Sequence, residues 1–345
     1  MSKQKLQLPL FDARILNPLV RYLDRHGVNS DSYLSERRIP RETLLAGGWI
    51  AKKQAYDLIR DVVTREHCPE IVFEAYEDFC FDDLGPIAIA VSSCRTVKEA
   101  LEVTTRLGGS AFEGNEYFLQ IEGKTAWLSY RERKHISEGQ DWINDMTLAA
   151  YRRMINLLVD PEWLPEKVLI QGAGSLRHVL VDQFNQCQLV SRTGVTALGF
   201  PTSFLRRRVQ FSSAPLNQTR CNEWRDGITT TGSFSDAIGR LIESRFQYTE
   251  IPTLREVSRM TSLSSATIKR RLSEEGLGYQ DLIDRLRFEM ASKMLIESER
   301  SIKEIAIELG YSGCNSFVRA FRRMTATTPG ELRRKHLNGY PENAG

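Results

Sequence analysis

Two basic stretches near the end of this 345-residue chain hold the side chains with the clearest chemistry. The first carries Ser265, Thr267, Lys269, Arg270 and Arg271, with Ala266 among them and no acid before Glu274. The second carries Cys314, Asn315, Ser316, Val318, Arg319, Arg322 and Arg323. Ile268 with Leu272, and Phe317 with Phe321, lie four apart, so on helices they form inward stripes that turn the donors outward. Arginine forks onto guanine O6 and N7, asparagine onto adenine N6 and N7, and short hydroxyls reach phosphates or bases. This residue set suits the major groove of duplex DNA. Cys314 beside Arg319 also has the make-up of a redox-sensing thiol, although a small packing or phosphate-facing role accounts for it more simply.

The elements that must position these residues are legible around them. Thr253-Leu-Arg-Glu-Val-Ser258 recurs, type for type, 48 residues later as Ser301-Ile-Lys-Glu-Ile-Ala306. Each copy opens with a capping box, Thr253 with Glu256 and Ser301 with Glu304, so each predicts a helix start. A short turn follows, ending in a second capping candidate, Ser264 or Ser312, and then comes the basic helix. Two helix-turn-helix units result. Between them Tyr279 to Glu297 holds a helical period through Leu282, Leu286, Ala291 and Leu295. Those 19 residues would span roughly 28 Å, comparable with the ~34 Å between successive major grooves on one DNA face.

Residues 237–335 resemble the AraC/XylS transcriptional regulators throughout their DNA-binding domain. The resemblance runs through Ser264, Ile268, Arg270 and Leu272, then Arg287, Ala291 and Leu295. It continues in Ser301 to Ala306, Leu309-Gly310-Tyr311-Ser312, Phe317, Arg319, Phe321, Thr328-Pro329 and Arg333. It implies base reading by Ala266, Lys269 and Arg270 in the first unit, and by Cys314, Asn315, Ser316, Val318 and Arg319 in the second. Three positions depart from the pattern: Ala266 where a larger residue is common, Ala326 where glycine follows the last recognition helix, and Leu332 in place of an aromatic. Arg287 reads as an ion-pair partner in preference to a base contact. The N-terminal half, through Gly85-Pro86 and Phe200-Pro201, is similar to the arabinose-binding-like sensor of one branch of the family. Its strands are separated by helices, unlike the all-β sensor of the arabinose regulator, so sugar recognition does not transfer. The resemblance implies promoter or operator DNA as a partner, RNA polymerase as another, an effector of unknown identity, mostly activating behaviour, and homodimerisation as an option. No cofactor, metal or membrane is implied.

The rest of the sequence agrees with a folded regulator. Charged residues make up 26% and AVILMFWYC 41%, close to the soluble average. The net charge of +3 is local: residues 234–345 hold 18 Lys and Arg against 15 Asp and Glu, whereas the remainder balances at 29 each. No apolar run approaches a membrane span, and Asp12 and Arg14 interrupt any signal-peptide core, so a cytoplasmic chain is expected. The six cysteines are scattered and the five histidines lie far apart, signalling neither disulfides nor metal. Gly172-Ala-Gly174 lacks its third glycine at Arg177 and does not make a dinucleotide site.

Helical spacing from Ile15 to Leu23 ends at Gly27, Tyr56 to Val63 repeats it, and Thr96 with Glu99 forms a further capping box. Residues 116–122 and 125–130 read as a hairpin about Gly123, Asp141 to Val159 as helix, and 167–171 and 195–200 as buried strands. The expected architecture is therefore an α+β or α/β ligand-sensing and oligomerisation domain over 1–205, a linker over 206–233, an all-α DNA-binding domain over 234–337 and a tail over 338–345. The competing function is a cytoplasmic α/β enzyme fused to a DNA-binding module, although residues 1–205 carry no triad, zinc, Walker or paired-carboxylate signature.

Overall fold

The computed structural model of the chain describes residues 8–132, 139–172, 181–209, 232–246 and 251–338. Two compact units form, Met1–Ser233 with Met260–Ser262, and Phe234–Arg259 with Leu263–Gly345. Gly174, Arg177, His135, His178, Cys221 and most of the expected linker lie outside the described residues.

In the first unit β1 (Leu10–Asp12) leads through α1 (Asn17–Arg25), α2 (Ser30–Glu36) and α3 (Arg41–Ala46) to β2 (Trp49–Ala51), which pairs antiparallel with β1. Helices α4 (Lys52–Arg65), α5 (Ile71–Ala75), α6 (Pro86–Ser92) and α7 (Val97–Ala111) follow. Gly85, before α6, has φ +55°, and a Cβ there would lie 2.1 Å from the Arg14 guanidinium carbon, so glycine is required. Thr96 caps α7 by accepting from the Glu99 amide at 3.2 Å, but Glu99 reaches back to the amide of Arg95, not Thr96. The expected box is thus displaced by one residue.

The hairpin forms as the sequence predicts, with β3 (Asn115–Glu122) and β4 (Thr125–Glu132) turning at Gly123, φ +61°. After α8 (Gln140–Leu158) come β5 (Lys167–Gln171), β6 (Gln188–Thr193) and β7 (Thr196–Pro201). The sheet order is β3-β4-β7-β5-β6, antiparallel throughout except for the parallel β5–β6 pair. Of the two expected classes this is α+β. Backbone pairing persists to Val209, whose amide donates to the Arg95 carbonyl at 3.2 Å.

An ion pair sits deep in this core. The side chains of Lys52 and Glu132 are 2% and 0% exposed and pair directly. Lys52 also donates to Asn115 Oδ1 at 2.9 Å, and the Tyr56 hydroxyl donates to Glu132 at 3.2 Å. Burial pulls the Lys52 pKa down, and the Glu132 charge opposes that shift.

The second unit is wholly helical among its described residues: α9 (Phe234–Phe246), α10 (Leu254–Thr261), α11 (Ser265–Glu274), α12 (Tyr279–Glu297), α13 (Ile302–Glu308), α14 (Cys314–Thr325) and α15 (Pro329–Asn338). Helix α12 packs against α9, α13 and α15. Arg333, on α15, donates to the carbonyls of Leu295 at 3.1 Å and Arg300 at 2.6 Å, closing the end of α12. Ala326, standing where the family pattern has glycine, adopts φ +57°, ψ +6° after α14, so the chain takes left-handed strain there.

Two stability measurements follow from these features. Lys52→Met leaves the buried Glu132 uncompensated and should cost about 3–5 kcal/mol in urea denaturation at pH 7, with Lys52→Met/Glu132→Gln recovering much of the loss. Ala326→Gly should raise the stability of the second unit by up to about 1 kcal/mol, read as a higher melting temperature.

Candidate nucleic-acid interface

Each recognition helix is oriented by burial of two residues four apart. Ile268 and Leu272 are fully buried on α11, and Phe317 and Phe321 are 1% and 2% exposed on α14. Phe317 packs edge-on to Phe321 at 5.6 Å, and Tyr311 and Phe288 pack against them at a tilt from the turn and from α12. With those stripes inward, α11 presents Ala266, Lys269 and Arg270 on one exposed face, and α14 presents Asn315, Arg319, Arg322 and Arg323.

The helices that precede them begin as expected. Both arms of each capping box are present: Glu256 N to Thr253 Oγ1 at 3.3 Å with Thr253 N to Glu256 at 2.8 Å, and Glu304 N to Ser301 Oγ at 3.2 Å with Ser301 N to Glu304 at 2.7 Å. The Ser301 amide, with the Ser301 side chain second, holds the Glu304 carboxyl below its usual range. Thr328 and Glu331 form a third box at the start of α15, at 2.7 and 3.2 Å. Its Thr-x-x-Glu spacing was there to be found in the sequence.

The two units are not exact copies. Ser264 caps α11, accepting from the Thr267 amide at 3.1 Å. Ser312 does not cap α14, contrary to expectation; Gly313 stands at that position without a side-chain bond. The reason is one extra turn residue. The first helices repeat at 48, but Ile268 and Leu272 align with Phe317 and Phe321 at 49, which pairs Ser264 with Gly313, Ala266 with Asn315, Lys269 with Val318 and Arg270 with Arg319. Ser262 and Gly310, 48 apart, both turn with positive φ, +55° and +74°.

Several named residues are turned to other work. Ser265, Thr267, Cys314, Ser316 and Val318 are half-buried. The Thr267 hydroxyl lies 2.8 Å from that of Ser264, and the Ser316 hydroxyl donates to the Gly313 carbonyl at 2.7 Å. Arg271, expected to face out, is half-buried with its guanidinium 5.1 Å over the Phe234 ring, and burial lowers its pKa. Arg270 pairs with Glu274, and Arg323 lies 3.8 Å from Asp284. Arg287 takes the expected ion-pair role, 3.5 Å from Asp284, while its guanidinium covers Tyr311 at 5.4 Å. Arg319 is exposed and makes no ion pair among the described residues. Ser273, overlooked in the sequence, shares the exposed face of α11 and aligns with Arg322 at the same spacing of 49.

No group of acidic, histidine or cysteine residues able to hold a metal occurs among the described residues, and no helix there is long and apolar enough to cross a membrane. Residues 27–209 match the arabinose-binding domain of AraC transcription regulators, and residues 257–335 match a helix-turn-helix domain. An ornithine utilization regulator of Pseudomonas aeruginosa is 26% identical over 140 residues, 39% of this chain and 40% of that protein. The virulence regulon transcriptional activator VirF of Shigella flexneri is 28% identical over 102 residues, 30% of this chain and 38% of that protein. The matches thus span about two fifths of these curated relatives. Among solved structures, the transcriptional regulator CdpR from Pseudomonas aeruginosa aligns over 93% of this chain and 98% of its own, with a TM-score of 0.42 and 19% identity. The N-terminal match alone takes in more than half of the sequence. Followed by two helix-turn-helix units that turn their cations outward, it means that this chain belongs to the AraC family of DNA-binding transcription regulators, a family of regulators and not of enzymes.

Proposed function

We propose that the chain is a ligand-responsive activator whose two recognition helices read successive major grooves on one face of promoter DNA. The observation that carries this reading is the equivalence of Arg270 and Arg319. Each lies between the two residues of a buried stripe, on the exposed face of its own helix, one before α12 and one after it. At ~1.5 Å per residue α12 is close to one groove repeat in length, so half-site centres ~10 bp apart fit its span. Lys269, Ala266 and Thr267 would sit at the first site with Ser265, and Asn315, Val318, Ser316 and Cys314 at the second. Arg322 and Arg323, nearer the end of α14, are assigned to phosphates.

The chain is assigned to the cytoplasm, with RNA polymerase as a further partner and the first unit as effector and dimerisation domain. Activation is supported by the name of the VirF relative. The name of the ornithine relative supplies one effector candidate, ornithine.

Randomised-site binding selection with full-length protein tests the groove assignment. Arg270→Ala should relax preference in one half-site and Arg319→Ala in the other, each by about 1–3 kcal/mol for a bidentate guanine contact. Arg322→Ala or Arg323→Ala should weaken all sequences alike and flatten the salt dependence. Unchanged base preferences in Arg319→Ala would remove α14 from base reading. A fragment of residues 234–345 should fold alone, bind DNA and ignore any effector that alters the full chain; an unfolded fragment by circular dichroism would contradict this division of labour.

A further inference from the structure

The first recognition helix carries two charged residues on its inward side, away from the face proposed to read bases. At ~100° per residue Arg271 and Glu275 fall on the same side of α11 as Ile268 and Leu272, and Lys269 and Arg270 on the other. Both are half-buried. The Glu275 carboxylate, just past the end of α11, accepts from the backbone amides of Phe234 and Ser235 at 2.8 and 3.0 Å. The Arg271 guanidinium lies 5.1 Å over the Phe234 ring. Phe234 opens α9 and is 7% exposed. Amides in the first turn of a helix lack partners within it, and the positive end of the helix dipole favours a carboxylate there. The end of α11 is therefore clasped to the start of α9 by two charge-assisted hydrogen bonds and by a cation over an aromatic face.

Helix α9 in turn is tied to α12. Asp236 lies 3.7 Å from Arg285, and a Cβ at Gly239 would lie 3.3 Å from Leu286. The second recognition helix is held differently. At the spacing of 49 the places of Arg271 and Glu275 fall to Ala320 and Met324, which can supply neither bond, and ring packing by Tyr311 and Phe288 orients α14 instead.

We infer that Arg271, Glu275 and Phe234 are positioning residues for base reading at one half-site: they set α11 against α12 through the start of α9 and touch no base themselves. This rests on the base-reading role given to Arg270 above and adds the residues on which that role depends. A shift in the angle of α11 would displace Arg270 from its base and leave α14, on the far side of α12, where it is.

Randomised-site selection and salt titration with the full-length protein test this, the half-site being the one whose preference relaxes in Arg270→Ala. Phe234→Leu keeps the charge and an apolar side chain, and Glu275→Gln keeps one acceptor oxygen. Each should reduce discrimination at that half-site about fivefold and leave the other unchanged. Arg271→Ala should do the same without the fall of about one in salt slope that a lost phosphate contact brings. Arg271→Lys, which keeps a cation over the ring, should recover part of the preference, and Arg271→Ala should add nothing in a chain already carrying Phe234→Leu. Equal loss at both half-sites, the mark of a general loss of folding, would overturn the assignment, as would unchanged preference in Phe234→Leu and Glu275→Gln. A lower salt slope in Arg271→Ala beside an unaffected Phe234→Leu would overturn it by making Arg271 a direct DNA contact. If Arg270→Ala relaxes one half-site and these variants do not, this inference alone falls; if Arg270→Ala relaxes neither, the base-reading proposal falls with it.

Discussion

One helix belongs to both halves of the DNA-binding unit, and everything proposed for that unit depends on it. In the first half of α12, Leu282 and Leu286 are buried; in the second half, Ala291 and Leu295 are. At ~100° per residue these two pairs lie about half a turn apart around the helix axis. The helix therefore buries opposite sides at its two ends. Ala291 and Leu295 join Phe317 and Phe321 in a single apolar cluster, while the first half packs toward α9, where Gly239 would place a Cβ 3.3 Å from Leu286. An ordinary amphipathic helix leaves one face to water along its whole length. This one holds the second helix-turn-helix unit directly, through α13 and the Phe317–Phe321 cluster, and reaches the first through α9, which packs against both α12 and α11.

The register within each unit follows from the same economy. Two buried side chains four apart on a helix determine which residues face outward, because they fix rotation about the axis to within a fraction of a turn. Ile268 with Leu272 does this for α11 and Phe317 with Phe321 for α14. The added residue in the second turn changes the cap from Ser264 to Gly313 but not the outward position of the arginine, because the stripe moves with the helix. Larger phenylalanines fill the second core where Ile and Leu suffice in the first. This is compatible with the extra backbone and with Tyr311 packing from the turn.

Much of this was legible in the sequence because it rests on local rules. The capping boxes at Thr253 and Ser301, the hairpin around Gly123 and the period of α8 and α12 all appear where their spacings place them. What escaped was short or non-local. Strands β1 and β2 are three residues each, too brief to show alternation, and exist through pairing with one another. Strand β6 is mostly half-exposed and is recruited by its parallel neighbour β5. Lys52 and Glu132 are eighty positions apart in sequence numbering, and nothing in either neighbourhood announces that they are buried together. The 48-residue repeat of the first helices points to Ser312 as the cap, whereas the 49-residue repeat of the apolar stripes points to Gly313. Both spacings were present in the sequence, and only the second governs the recognition helix.

The pairing of the outward cations bears on how such a surface could exchange partners. Arg270 rests on Glu274 one turn along the same exposed helix, an arrangement worth only about 0.3–0.5 kcal/mol. A bidentate contact to guanine is worth about 1–3 kcal/mol in discrimination. The comparison favours release of Arg270 to a correctly placed base, while the carboxylate left behind discourages an approach that brings phosphate without that base. Arg319 carries no such restraint among the described residues, and its aligned neighbour to Glu274 is Arg323, a cation. The two helices thus present the same arginine in opposite electrostatic settings. On the proposed base-reading roles, Arg270 must leave a carboxylate on its own helix to reach a base, whereas on α14 it is Arg323, assigned to phosphate, that lies near one, Asp284 at 3.8 Å.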